Sequence, residues 1–177
     1  FADLQPAWSP DGTRIAFVTD RYTTKLPTLA AGSYGLAILD PASGSVERIQ
    51  TFDEAKNINP QWSGDGRTLY FVADPFGIPN VFALDLTARS VRQVTNVDTG
   101  VSGITDISPT LTVATGMRRV AWSVHDETHP TVYVTDNATV LEGGRPAATW
   151  SDVTAALLPP EKRVSNELVA ALTDPAK

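Results

Sequence analysis

Short segments in which apolar residues alternate with smaller or more polar ones run through the chain, and one of them is written twice. Ile15 and Phe17 follow a period of two, and so do Leu69 and Phe71, which predicts β-strands with one better-buried face. A turn precedes each strand, Ser9-Pro10-Asp11-Gly12 in the first case and Ser63-Gly64-Asp65-Gly66 in the second. Pro presets φ at the second turn position, Asp suits the third, and Gly takes the left-handed angle that a Cβ resists. Trp8 and Trp62 stand just before these turns, and the stretch Pro6 to Asp20 matches Pro60 to Asp74 in Pro, Trp, Ser, Asp, Gly, Phe, Val and Asp. The chain therefore contains an internal repeat of β-hairpins.

A third, eroded copy follows. Ile107-Ser108-Pro109-Thr110-Leu111 answers Ile58-Asn59-Pro60-Gln61-Trp62, and Val120 to Val124 answers Leu69 to Ala73, with Thr115-Gly116 in the turn in place of Asp-Gly. The first unit has predicted strands at 5–9, 14–19, 36–40 and 46–49, and the second at 59–62, 68–73, 80–85 and 91–95. The third has strands at 108–113, 119–125 and 131–135, with a poorly marked fourth at Ala147 to Trp150. Units of about 50 residues, each a four-stranded antiparallel sheet, bury their faces on one another as the blades of a propeller. A β-sandwich is the alternative, but it has no need to repeat Trp, Asp and Gly at fixed offsets. The expected fold is all-β: a partial β-propeller of three four-stranded antiparallel blades, at about 1–50, 51–100 and 101–136, with a short helical tail over 137–177. In that tail Ser151 caps one short helix, Pro159-Pro160 breaks it, and Val164, Leu168 and Leu172 form the apolar stripe of a second.

Composition narrows the function. The 177 residues are 42% hydrophobic and 19% charged, enough for a substantial core, and no apolar run is long enough to span a membrane. A formal charge of −6 with no Lys/Arg cluster lacks the phosphate attraction that dominates nucleic-acid binding. Cysteine is absent, which removes disulfide and thiolate chemistry. The chain opens at Phe1 and shows no signal-peptide pattern, so the expectation is a processed or excised piece of something longer.

Candidate chemistry adds little. His125-Asp126-Glu127-Thr128-His129 gathers metal-ligand types, but it fills a turn between strands and lacks the His-Glu-x-x-His order of zinc peptidases. Ala31-Gly32-Ser33-Tyr34-Gly35 has the outline of a nucleophile elbow, yet a strand rather than a helix follows it. No catalytic residue, cofactor site or metal site is assigned, and the chain is expected not to be an enzyme. Trp8, Trp62, Trp122, Phe17 and Phe71 are expected to pack blade against blade, with both Trp8 and Trp62 buried. Trp8, Asp11, Gly12, Trp62, Asp65 and Gly66 are the structural signature of the repeat, and Asp20 and Asp74 are assigned to local backbone hydrogen bonding.

The run Trp8-Ser9-Pro10-Asp11-Gly12 through Ile15-Ala16-Phe17-Val18 to Asp20 resembles the repeat of the TolB-like propellers, also called PD40 or WD40-like repeats. Trp62 to Asp74 resembles it with Gly64 in place of Pro, and the third unit departs by losing the Trp and the turn Asp. The combination of Asn59 to Ser63, Gly77 to Val81 and Thr99 to Thr105 further resembles large bacterial envelope proteins. In those, such a propeller lies between a peptidase-like region and a surface-antigen-like barrel. The resemblance implies a protein-interaction scaffold of the bacterial cell envelope, periplasmic. It alternatively implies an accessory domain that positions or gates a peptidase encoded elsewhere in the parent protein.

Strand order places the partner surface. In an up-and-down blade the tight turns share one face, while the longer connections Arg21 to Gly35 and Asn96 to Asp106 share the other with His125 to Pro130. Long loops on a rigid scaffold carry binding, so Arg21, Tyr22, Lys25 and Tyr34 are the expected contacts for a protein partner. The two flanks of such a wedge require further blades, or a second copy of the chain, to close a ring.

Overall fold

The computed structural model of the chain describes residues 1–103, 105, 107–126, 129–141 and 145–146. The first sheet contains β1 (Asp3–Trp8), β2 (Ile15–Thr19), β3 (Gly35–Asp40) and β4 (Ser45–Ile49), each hydrogen-bonded antiparallel to the next. The second repeats this order with β5 (Asn57–Trp62), β6 (Thr68–Ala73), β7 (Asn80–Asp85) and β8 (Ser90–Gln93). The third contains β9 (Leu111–Ala114), β10 (Arg119–Asp126) and β11 (His129–Thr135). One turn of helix, α1 (Ala138–Leu141), follows, and the two-residue strand β12 (Arg145–Pro146) pairs with the outside of β8. The first strands of successive sheets lie side by side, β1 against β5 and β5 against β9, as inner strands of propeller blades do.

The repeated turn explains the hairpins. Ser9 Oγ–H donates to Asp11 Oδ1 at 2.6 Å while the Thr13 and Arg14 amides donate to Asp11 Oδ1 and Ser9 Oγ. Ser63, Asp65, Arg67 and Thr68 repeat that lattice. Gly12 and Gly66 close the turns at φ 70° and 68°, where a side chain is disfavoured. Gly64, where the first unit has Pro10, has its own reason: a Cβ there would collide with the Thr115 carbonyl of the next sheet's turn.

The inner strands of the first two sheets carry a second repeated device. The register of β1 with β2 shifts between Leu4 and Ala7, and that of β5 with β6 shifts between Ile58 and Gln61. Gln5-Pro6 and Asn59-Pro60 occupy these bulges, where a proline forfeits no ladder hydrogen bond, and Gln5 and Asn59 both adopt positive φ, 50° and 54°. Their side chains reach toward the following blade. The Asn59 amide donates to Gln5 Oε1 at 2.6 Å, and the Thr110 and Leu111 amides both donate to Asn59 Oδ1, at 2.8 and 2.7 Å.

The core lies between the sheets. Leu36 and Val18 of the first and Leu69, Phe71, Val72, Val81 and Phe82 of the second are fully buried. Phe52, in the β4–β5 crossover, closes edge-on over Phe82 with centroids 5.0 Å apart. Burial runs on without alternation along β6 and β7, and along β2 apart from its first residue. The period of two predicted one better-buried face for β2 and β6, but the second sheet is covered by a neighbour on each side, so both faces of β6 and β7 fill.

A further difference concerns the repeat. Trp62 is buried, its Nε1–H donating to Ala7 O at 3.0 Å and the Arg14 guanidinium lying 4.9 Å from its ring. Trp8 is 59% exposed, against the expected burial: what covers Trp62 is the preceding sheet, and among the described residues no sheet stands in that position before β1. Among the described residues the three antiparallel sheets of the partial propeller hold four, five and three strands. After β11 the chain returns across the second sheet, where Tyr70 Oη–H donates to Leu141 O at 3.4 Å, and adds β12 there. The fourth strand expected at Ala147 to Trp150 and the tail helices from Ser151 lie outside the described residues.

Candidate functional site

Hydrogen bonds to Asp20 brace the base of the β2–β3 connection, residues 20–34. Thr24 Oγ1–H and the Ala2 amide donate to the Asp20 carboxylate at 2.7 and 2.8 Å, and these bonds hold its pKa below the ordinary carboxylate value. Asp74, at the matching place in the second unit, accepts the Lys56 amide at 2.8 Å in the same way. Thr23 Oγ1–H donates to Ser33 O at 2.7 Å and the Gly32 amide donates to Thr24 Oγ1 at 2.9 Å. Lys25 and Ala30 pair backbone to backbone and close the tip around a 3₁₀ turn, Leu26–Thr28.

The expected contact residues part company here. Arg21 is committed to its own sheet: its guanidinium meets Asp3 at 2.7 Å, its Nε–H donates to Thr19 Oγ1, and it lies over Phe17 at 5.5 Å. Tyr34 is half-buried against the core, its carbonyl accepting the Asn57 amide at 2.9 Å. Tyr22 is exposed, with the Arg48 guanidinium 5.3 Å from its ring and that guanidinium paired with Asp53 at 2.8 Å. Lys25 is exposed at the loop tip. Tyr22 and Lys25 are thus exposed, while Arg21 is held by its own sheet and Tyr34 by the core. Leu26 and Leu29, passed over in the sequence, are 53% and 89% exposed beside Lys25, with Leu29 at a φ of 51°. Two leucines flanking a proline within a predicted loop were the available signal.

On the opposite face the turn carboxylates serve the fold. Ser9 Oγ–H first, then the amide and hydroxyl of Thr13, hold the Asp11 carboxyl down to about 2. Ser63 and the Arg67 amide lower Asp65 in the same direction. A cleft of about 400 Å³ opens near these turns, between the second and third sheets, with Asp65, Asp85, Arg92, Arg118 and Asp136 on its walls. Its residues come from separate strands and turns, and no local motif marks them. Among the described residues no three His, Cys, Asp or Glu side chains gather into a metal-binding group. The His125 amide donates to Ser102 Oγ at 3.0 Å, tying that hairpin to the β8–β9 connection.

No protein-family profile matches the chain. A TolB homolog of Chlorobium luteolum is 34% identical, over 50% of this chain and 28% of its own length. A solved structure assigned as TolB from Agrobacterium tumefaciens superposes with a TM-score of 0.59 at 20% identity, covering 77% of this chain and 46% of that one. The chain carries the TolB-like β-propeller fold. The TolB-like blades also match proteins of another description. The uncharacterized peptidase YuxL of Bacillus subtilis is 30% identical over 55% of this chain and 14% of its own length. The structure of a Mycobacterium tuberculosis puromycin-hydrolyzing peptidase superposes with a TM-score of 0.61 at 19% identity, covering 79% of this chain and 21% of that one. This chain spans less than a third of each of these curated relatives. The expectation that the chain is not an enzyme is overturned by the sequence match to a relative named as a peptidase, whose propeller region aligns with this chain.

Proposed function

We propose that this TolB-like chain is the accessory propeller of a peptidase, the module that positions substrate for, or gates access to, a hydrolase domain of the parent protein. The carrying observation is that relatives named as peptidases align with this chain over the repeat-bearing blades while the chain covers only 14% of the length of one of them. On this reading residues 1–136 are the blades, divided at about 50 and 100, and 137–177 lead toward the next part of the protein. The braced loop at 20–34 is the contact element, with Tyr22 and Lys25 at its surface and Arg21 and Tyr34 supporting them.

The test uses the full-length parent protein, offered peptides of graded length, with and without residues 22–33. The deletion is expected to change the ratio of kcat/KM between long and short peptides by about tenfold, on the order of 1.4 kcal/mol of differential transition-state binding. An unchanged ratio, or a parent protein that hydrolyses no peptide, overturns the reading. The TolB relative favours a second reading, an interaction scaffold in the bacterial cell envelope whose partner is a protein. That reading predicts no hydrolysis, and loss of partner capture when the same loop is removed.

A further inference from the structure

Among the described residues no strand pairs with the outer edge of β11, whereas in the other sheets the equivalent third strand is covered, β3 by β4 and β7 by β8. Register fixes which backbone groups that edge presents. The Ser123 amide donates to Thr110 O at 2.9 Å, so in β10 the odd residues hydrogen-bond toward β9 and the even ones toward β11. Trp122 with Tyr133 and Val124 with Thr131 are then bonded pairs, which turns the N–H and C=O of Val132 and Val134 outward. Their side chains are open as well, 68% and 62% exposed.

The segment at this edge is Thr131-Val132-Tyr133-Val134-Thr135, which reads the same in both directions and carries no charge. An antiparallel partner of identical sequence, centred on Tyr133, sets Val132 opposite Val134, Thr131 opposite Thr135, and Tyr133 opposite itself. Each is a favourable cross-strand combination of β-branched or aromatic residues. Val132 and Val134, whose backbone groups already face outward, become the hydrogen-bonded pairs of the new ladder. We propose that β11 is a self-association edge, joining a second copy of this chain about a two-fold axis through Tyr133 into a sheet continuous across both molecules. Natural edges that must stay single carry lysine, an inward charge or a proline against pairing. Here Pro130 lies outside the palindrome, and nothing between Thr131 and Thr135 opposes a partner. The interface is small, so the expected dimer is weak, with a dissociation constant on the order of 100 µM.

The 177-residue chain has no cysteine, so single cysteines report cleanly. Tyr133→Cys places two thiols face to face at a non-hydrogen-bonded pair, within disulfide reach. Thr135→Cys places them about 13 Å or more apart, four residues along the strand. Mild oxidation is expected to trap a dimer of Tyr133→Cys at least tenfold faster than of Thr135→Cys. Sedimentation equilibrium of the unmodified chain is expected to show monomer and dimer near 100 µM, and Val134→Lys, at an exposed position, to abolish the dimer. Equal trapping at both positions overturns the proposal. So does a chain that stays monomeric throughout that range, which is the outcome if its own residues 147–150 cover the edge as a fourth strand.

Discussion

Trp8 and Trp62 are the same residue of the same repeat, and only their surroundings separate them. Trp62 has a sheet in front of it that supplies the Ala7 carbonyl for its indole N–H and the Arg14 guanidinium for its face, and it retains 2% of its exposure. Replacing Trp62 by Ala removes a large side chain from a filled site and is expected to cost about 3–5 kcal/mol. Replacing Trp8 by Ala takes away a side chain that is already 59% exposed, so the loss is expected to stay below about 1 kcal/mol. Urea denaturation of both variants checks the contrast, and equal costs would mean that Trp8 is covered in solution. The sequence makes the repeat legible at this scale because turn chemistry is local: Ser, Asp and Gly build their hydrogen bonds within a few residues. It does not distinguish the two tryptophans, because burial depends on what stands next to a blade. Gly64 behaves likewise, as a departure from the repeat whose cause is a carbonyl of the following unit.

At the level of strands, the alternating pattern located the hairpins, and the boundaries of β6 and β7 coincide with the predicted segments. What the pattern could not show is how the blades are kept in register with one another. Asn59 does this from the bulge of β5, accepting the Thr110 and Leu111 amides at once and leaving neither buried donor unpaired. In sequence it is only a polar residue before a proline, and its reach across to β9 depends on a positive φ that no local signal announces. Asn59→Ala removes the acceptor from two buried N–H groups and is expected to cost about 1–3 kcal/mol. Asn59→Asp, which keeps an acceptor oxygen, is expected to recover part of that loss. Hydrogen exchange at Thr110 and Leu111 reads the effect directly: both amides are expected to exchange faster in Asn59→Ala. Unchanged protection there would show that β9 docks without this contact.

Across the whole molecule, three repeating units and an all-β architecture follow from spacing, while the path after β11 does not. Its departure toward the second sheet rests on Tyr70 and on the outer side of β8, partners lying far upstream in the chain. Among the described residues that path, with no strand on the outer edge of β11, makes the three sheets unequal. The second has neighbours on both sides and holds Leu69, Phe71, Val72, Val81 and Phe82 fully buried. In the first, Trp8 is exposed, and in the third Val132, Tyr133 and Val134 are. Opening free energy follows buried apolar contact, so protection against hydrogen exchange should be graded rather than uniform. The slowest amides are expected in β6 and β7 and the fastest among the strands in β11, with those of β2 and β3 between. The ratio between β7 and β11 is expected to reach about a hundredfold or more, since a local opening that differs by 2.7 kcal/mol or so changes exchange by that factor. A flat profile would mean that the sheets open as one unit and that the exposed surfaces of the first and third are covered in solution. Exchange measured at low and high micromolar concentration separates those causes for the third sheet, because a self-associating β11 gains protection with concentration and a strand covered by its own chain does not.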